Sequence, residues 1–264
     1  MSLKISSFNI LNTHRFYEER IPLIKRAIQE MDCDIIGLQE INYEGNKEIY
    51  IHPDYDYKFS PLYESMGPWN VNELPESFRW LEGFRIDGNA FLVKPKIKVL
   101  AEGYRQYSDK LRNAQRMKIR LNDQIVWVVN THLDWQTDAS RLKEVEELLE
   151  WMKPMMDCPI IITGDFNATP DSSAYALLSE QFQSALYVAN GEEPEKTFPS
   201  ELLDHEEIMK TWHYELLGPK VPRVYDYIWF RNIKLKTARV VNNIREGTFC
   251  PSDHYPLVAE FELS

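Results

Sequence analysis

The feature that most restricts this sequence is a set of short apolar runs, each closing on a polar side chain able to do chemistry. Asp34–Gln39 (DIIGLQ) runs into Glu40, and IVWVVNTHLD carries Asn130, His132 and Asp134. PIIITGDFN carries Asp165 and Asn167, while DYIWF opens on Asp226. Runs of about four to eight such residues match buried strands and are far too short to span a membrane. Leu3–Ile10 is a further run containing Asn9, and Asp253 and His254 precede the alternating Leu257–Leu263. Strand ends on a shared sheet edge are where a rigid scaffold presents site residues.

Further strands are predicted over Asn89–Val93, Ile97–Leu100, Met117–Leu121, Ile125–Asn130, Pro159–Thr163, Tyr227–Phe230 and Lys234–Val241. Ile21, Ile24, Ala27, Ile28 and Met31 recur at helical spacing, with Pro22 tolerable in a first turn. A second helical face is Leu142, Val145, Leu148, Leu149 and Met152, capped by Asp138 or Ser140 and stopped by Pro154. Ser172–Leu178 reads as a short helix. Asn42 to about Phe84 is weakly periodic and rich in Tyr, Pro, Trp and Gly, a length that implies function or small elements of its own. Glu192–Pro222 is irregular and charged. With no linker and no internal repeat, residues 1–264 read as one α/β domain with more strands than helices.

A net charge of -11 disfavours non-specific grip on nucleic acid or anionic membranes, both of which reward basic surfaces. Cys33, Cys158 and Cys250 are too few and too scattered for a disulfide framework and lack zinc spacing, so they read as free thiols. The sequence enters a strand almost at once, without a basic segment followed by a long apolar one, which makes the cytoplasm the default location.

Singly, each polar residue has a plain reading. Asn9 suits a turn, Glu40 a surface carboxylate, GDFN an Asx turn, His132 a satisfied core histidine and SDH an ordinary loop. Together they supply carboxylates, two histidines and several carboxamides. That inventory suits a hard cation such as Mg²⁺, which takes oxygen ligands and one or two carboxylates. It suits structural zinc poorly.

SFNI, IIGLQEI (35–41), NTHLDW (130–135), GDFNATP (164–170), DYIWF (226–230) and SDHYPLV (252–258), in this order, resemble the endonuclease/exonuclease/phosphatase superfamily of DNase I-like proteins. The resemblance implies a four-layer α/β/β/α sandwich of two packed, mostly antiparallel sheets flanked by helices. It implies Mg²⁺ or Mn²⁺ held mainly by Glu40, with Asn9 a ligand or organiser and Asp253 reaching the metal or its waters. Asp165 would position or deprotonate the attacking water, helped by Asn167. His132 and His254 would donate to the phosphate oxygens, and Asp226 would orient His254. Leu11 stands where abasic-site endonucleases place an acidic residue. Asn9-Ile10-Leu11, Asp87-Gly88-Asn89-Ala90-Phe91 and Pro251-Ser252-Asp253-His254 look more like the CCR4/nocturnin/Angel branch and related bacterial members.

For substrate the residues offer Asn89, Arg116, Asn130 and Trp135, with Arg105, Arg112 and Arg223 as further phosphate contacts or as mere balance for an acidic chain. The aromatic loop Tyr55–Trp80, Trp135 and Trp212 would stack a base or sugar, or else fill the sandwich edge. A phosphorylated small molecule, a nucleotide or a short nucleic acid fits the charge better than long duplex DNA, with a phosphodiester preferred over a monoester. Neither membrane insertion nor a protein partner is indicated. Two other classes stay open: a non-catalytic phosphate- or nucleotide-binding module, and a hydrolase with a covalent nucleophile, although no GxSxG elbow is present.

Overall fold

The computed structural model describes residues 2–12, 16–41, 53–61, 88–108, 112–121, 123–206, 208 and 221–263. The aromatic loop beyond residue 61, Asp87 and Trp212 lie outside the described residues.

Apolar runs become strands, and the strands form two six-stranded sheets. The first sheet holds β1 (Ser2–Asn9), β2 (Ile35–Gln39), β3 (Asp56–Pro61), β4 (Gly88–Val93), β11 (Lys234–Val240) and β12 (Leu257–Glu262), ordered β11-β12-β1-β2-β4-β3. The second holds β5 (Lys98–Gln106), β6 (Asn113–Leu121), β7 (Gln124–His132), β8 (Ile160–Asp165), β9 (Gln183–Ser184) and β10 (Asp226–Arg231), ordered β5-β6-β7-β8-β10-β9. Each sheet is antiparallel except for one central parallel pair, β1 with β2 and β7 with β8. A parallel pair needs a crossover. Helix α1 (Tyr17–Met31) supplies the first, and helix α2 (Asp138–Met152) the second.

Three apolar clusters give the order of layers. Ile21, Ile24, Ile28 and Met31 of α1 pack with Ile36 and Leu38 on the outer face of the first sheet. Ile5 and Ile35 of the first sheet meet Met117, Val128 and Ile161 of the second in the space between them. Val145, Leu148 and Met152 of α2 pack with Val129, Ile160 and Ile162 on the outer face of the second. The result is the expected α/β/β/α sandwich. Two short helices, α3 (Ser173–Ser179) and α4 (Ala185–Asn190), complete the second half. No described helix is long and apolar enough to cross a membrane.

Several boundaries differ from the sequence reading for local reasons. Thr137, rather than Asp138 or Ser140, caps α2, its side chain accepting from Ser140 N at 3.0 Å. The weakly periodic segment contains β3, whose pairing with β4 overrides its poor periodicity. Helix α1 begins at Tyr17, before Pro22, so the proline lies inside the helix rather than in its first turn. Arg20 N donates to Phe16 O at 2.9 Å, and Glu18 and Glu19 favour the helix start through its dipole.

Polar ties cross the apolar interior just behind the site. Asn130 on β7 donates to Leu38 O at 2.8 Å and Ala90 O at 3.1 Å, and its Oδ1 accepts from Gln39 Nε2 at 2.6 Å. Gly37 makes the room: a Cβ there would sit 2.2 Å from Thr163 Oγ1 and 2.9 Å from Asn130 Oδ1. Asn130→Leu keeps the volume and removes the bonds. It is expected to lower the unfolding free energy by about 3 kcal/mol or more, because each buried group left unpaired costs about 1–3 kcal/mol. Urea denaturation measures it, and a loss below about 0.5 kcal/mol, the range of a neutral surface change, would remove Asn130 from that role.

Candidate active site

The C-terminal ends of both parallel pairs point to one place. Asn9 ends β1, Glu40 follows β2, His132 ends β7 and Asp165 ends β8. In the second sheet the register lines up Asn113, His132, Asp165 and Asp226 across four strands. This row places two carboxylates directly opposite each other on an antiparallel pair, an arrangement that is unfavourable unless a cation lies between them.

His254 is that cation. Its Nδ1 lies 2.8 Å from Asp226 Oδ2 and its Nε2 3.7 Å from Asp165 Oδ2. Burial alone would lower its pKa, but the carboxylates of Asp226, Asp165 and Asp253 outweigh burial and hold it well above the usual histidine value. His132 is the opposite case. Burial, the Arg112 guanidinium with Nη1 3.5 Å from its Nδ1, and His254 hold it well below, so the ring is neutral. Its Nε2 lies 3.6 Å from Asp165 Oδ2. Asp165 is therefore flanked by one charged and one neutral imidazole. Burial raises its pKa above the ordinary carboxylate range; His254 opposes that rise and Asp226 adds to it.

Carboxamides fix the carboxylates. Asn9 Nδ2 donates to Glu40 Oε1 at 3.1 Å and to Asp165 Oδ2 at 2.9 Å, bridging the two sheets. Its Oδ1 accepts from Leu11 N at 3.0 Å, which sets the direction of the amide. Glu40, with φ 58°, also accepts from Asn12 N at 2.9 Å. Asn167, with φ 48°, donates its N–H to Asp165 Oδ1 at 2.9 Å and its Nδ2 to Leu133 O at 3.0 Å, with His132 Nε2 3.2 Å away. Asn tolerates such left-handed backbone better than most residues.

Glu40, His132 and Asp165 bring ligand-type atoms within 4.8 Å of one another, and Asp165, Asp226 and His254 do the same. Either group could hold a metal ion. Only the first has an open side, because Glu40 is half-buried, and the second is already closed by its ion pair. Asp253 lies in neither group; its Oδ1 accepts from Ser252 Oγ at 3.1 Å, beside His254.

The four residues expected to meet substrate separate. Trp135 is 56% exposed beyond His132, open to a ligand. Asn130 is fully buried and committed to the sheet-to-sheet tie, which removes it as a substrate contact. Both bonds from Asn89 Nδ2 go to Asn113, at its O and Oδ1, so Asn89 also joins the sheets. Arg116 lies on the outer face, its guanidinium over Trp151 at 4.2 Å and donating to Trp151 O at 2.9 Å, and it is not part of the site.

Three contributors escape the sequence reading in whole or in part. Arg112 is offered there as a phosphate contact, with no sign that it stands against His132. Asn113 falls outside a strand read as starting at Met117. Thr197 sits in the segment read as irregular, yet its buried Oγ1 accepts from Tyr225 N at 3.0 Å and Asp226 N at 3.1 Å, while its O accepts from Tyr255 N at 2.8 Å. It splints the Asp226 and His254 segments together. A threonine in an irregular stretch carries no signal of that role.

Comparison with known proteins identifies the family and the fold. The chain is 22% identical over 307 residues to the CCR4-Not complex 3'-5'-exoribonuclease subunit Ccr4 of Kluyveromyces lactis, covering 94% of this chain and 38% of that protein. It is 24% identical over 278 residues to human nocturnin, covering 94% of this chain and 59% of nocturnin. The chain thus spans less than two thirds of either relative. Its fold is shared with the mannosyl-6-phosphatase of Bacteroides thetaiotaomicron, with a TM-score of 0.75, 18% identity, and coverage of 99% of this chain and 100% of that one. Residues 6–254 match the model of the Endonuclease/Exonuclease/phosphatase family, and the chain belongs to that family.

Proposed function

We propose that the chain hydrolyses a phosphate ester with the help of Mg²⁺ or Mn²⁺, acting on a phosphodiester in a nucleotide or short nucleic acid. One observation carries the reading: Asp165 Oδ2 lies 3.6 Å and 3.7 Å from two imidazoles, with Glu40 within ligand reach. Phosphoryl transfer asks a protein mainly for positioning and charge stabilisation. Glu40 would hold the cation, an oxygen donor of the kind that fits Mg²⁺ or Mn²⁺. When bound, such a cation supplies charge that polarises a phosphoryl oxygen.

The chain's own residues do the rest. Asp165 takes a proton from the attacking water, while Asn9 and Asn167 hold it in place. Protonated His254 donates from Nε2 to the phosphoryl oxygen, and Asp226 keeps Nδ1 occupied. Neutral His132 can offer one N–H without adding charge beside Arg112. Exposed Trp135 offers a face on which a base can stack.

Hydrolysis of bis-p-nitrophenyl phosphate is expected to need Mg²⁺ or Mn²⁺, to stop with EDTA, and to fall by about 10²-fold or more in Asp165→Asn. Full activity in that variant would sink the assignment. Release from p-nitrophenyl phosphate instead would indicate a monoesterase, as in the mannosyl-6-phosphatase that shares the fold.

In Asp226→Asn the main group raising His254 is lost while burial still opposes its charge, so the donor deprotonates at lower pH. The alkaline limb of the pH–rate profile should move to lower pH; an unmoved limb would reject His254 as the donor.

Trp135→Ala is expected to raise KM for a nucleotide substrate by about tenfold at unchanged kcat, since stacking is worth about 1–3 kcal/mol per base. An unchanged KM would place the base elsewhere.

A further inference from the structure

We infer that Arg20, on the outer helix α1, is a positioning residue for Glu40, Asn9 and the His254 loop, an inference that rests on the phosphoesterase reading above. Arg20 is 2% exposed, and its guanidinium reaches past the helix into the two loops that bear the site. Nη2 donates to Ile10 O and, at 2.9 Å, to Leu11 O, while Nε donates to Pro251 O at 3.1 Å. The first two carbonyls directly follow Asn9, and the third precedes Ser252-Asp253-His254.

The two peptide groups that Arg20 holds by their oxygens present their N–H groups to the site. The Ile10–Leu11 peptide gives its oxygen to Arg20 and its N–H to Asn9 Oδ1. The Leu11–Asn12 peptide gives its oxygen to Arg20 and its N–H to Glu40 Oε2. Hydrogen bonds in series polarise one another, so a cation on each oxygen makes each N–H a stronger donor. The positive charge of Arg20 is thus carried to the Glu40 carboxylate through one peptide bond. It is carried to Asn9 through another, and Asn9 passes its own donors to Glu40 and Asp165. Leu11 has φ 58°, a conformation that L side chains disfavour, and the two held carbonyls keep the turn there. A planar fork can serve adjacent carbonyls and a third from another segment; a lysine ammonium on a flexible stem cannot reproduce that pattern.

The test compares wild type with Arg20→Lys by three measurements: Mn²⁺ affinity from calorimetry without substrate, kcat and KM for bis-p-nitrophenyl phosphate, and thermal denaturation. Mn²⁺ affinity and kcat are expected to fall about 10–100-fold at nearly constant KM, the usual cost of removing a partner that orients a metal-binding side chain. Wild-type affinity and kcat in Arg20→Lys would overturn the inference. If the lysine variant does not fold, Arg20→Ala with added millimolar guanidinium chloride takes its place. Recovery of Mn²⁺ affinity supports the inference, and no recovery, in a folded or an unfolded variant, overturns it in favour of a purely structural role. A wild type that neither binds Mn²⁺ nor hydrolyses the diester would refute the phosphoesterase reading itself, and this inference with it.

Discussion

The carboxamide of Asn130, lodged between two apolar sheets, sets the spacing on which the site depends. Apolar contact alone holds sheets together without fixing their register, because it has no direction. Asn130 supplies direction: two donors aimed at Leu38 O and Ala90 O, and one acceptor for Gln39. Gly37 supplies the close approach. Glu40 comes one residue after Gln39, and His132 two residues after Asn130 on the same strand face. With the sheets pinned there, the Asn9 amide can touch Glu40 in one half and Asp165 in the other.

The electrostatics of the site follow from the same geometry. Closing two sheet ends together buries more carboxylates than an apolar interior tolerates, and desolvation of each is severe unless charge is matched. His254 matches two of them, and Glu40 keeps an open side. Burial, with Arg112 beside it, disfavours charge on His132, while Asp226 and its fellow carboxylates favour charge on His254. One fold thus presents a neutral and a protonated imidazole to the same carboxylate.

Much of this is legible in the sequence. Apolar runs place the strands, and the polar residues at their ends put Asn9, Glu40, His132, Asp165 and Asp226 near one edge. What sequence does not resolve is which side of the edge each residue faces. Asn130 shares the parity of His132, but it sits one pleat deeper, where no substrate reaches. Arg116 is an odd number of residues from Asn113 and so points to the outer face, where Trp151 takes it. That parity stays hidden as long as β6 is read from Met117. Backbone-mediated contacts are invisible for a different reason: Thr197, Asn12 and Arg20 act on or through peptide groups, and any residue type supplies those.

Pro22 gives α1 an unusual mechanical character. Having no N–H, it cannot donate to the carbonyl four residues back, that of Glu18, so one rung of the helix is missing beside the turn that bears Arg20. Everything C-terminal to that gap is seated on the first sheet by Ile24, Ile28 and Met31. The turn before it shares that seat through Ile21 and is also anchored to loop carbonyls by Arg20. The leading turn therefore answers to two partners at once, the first sheet through Ile21 and the Asn9 and His254 loops through Arg20.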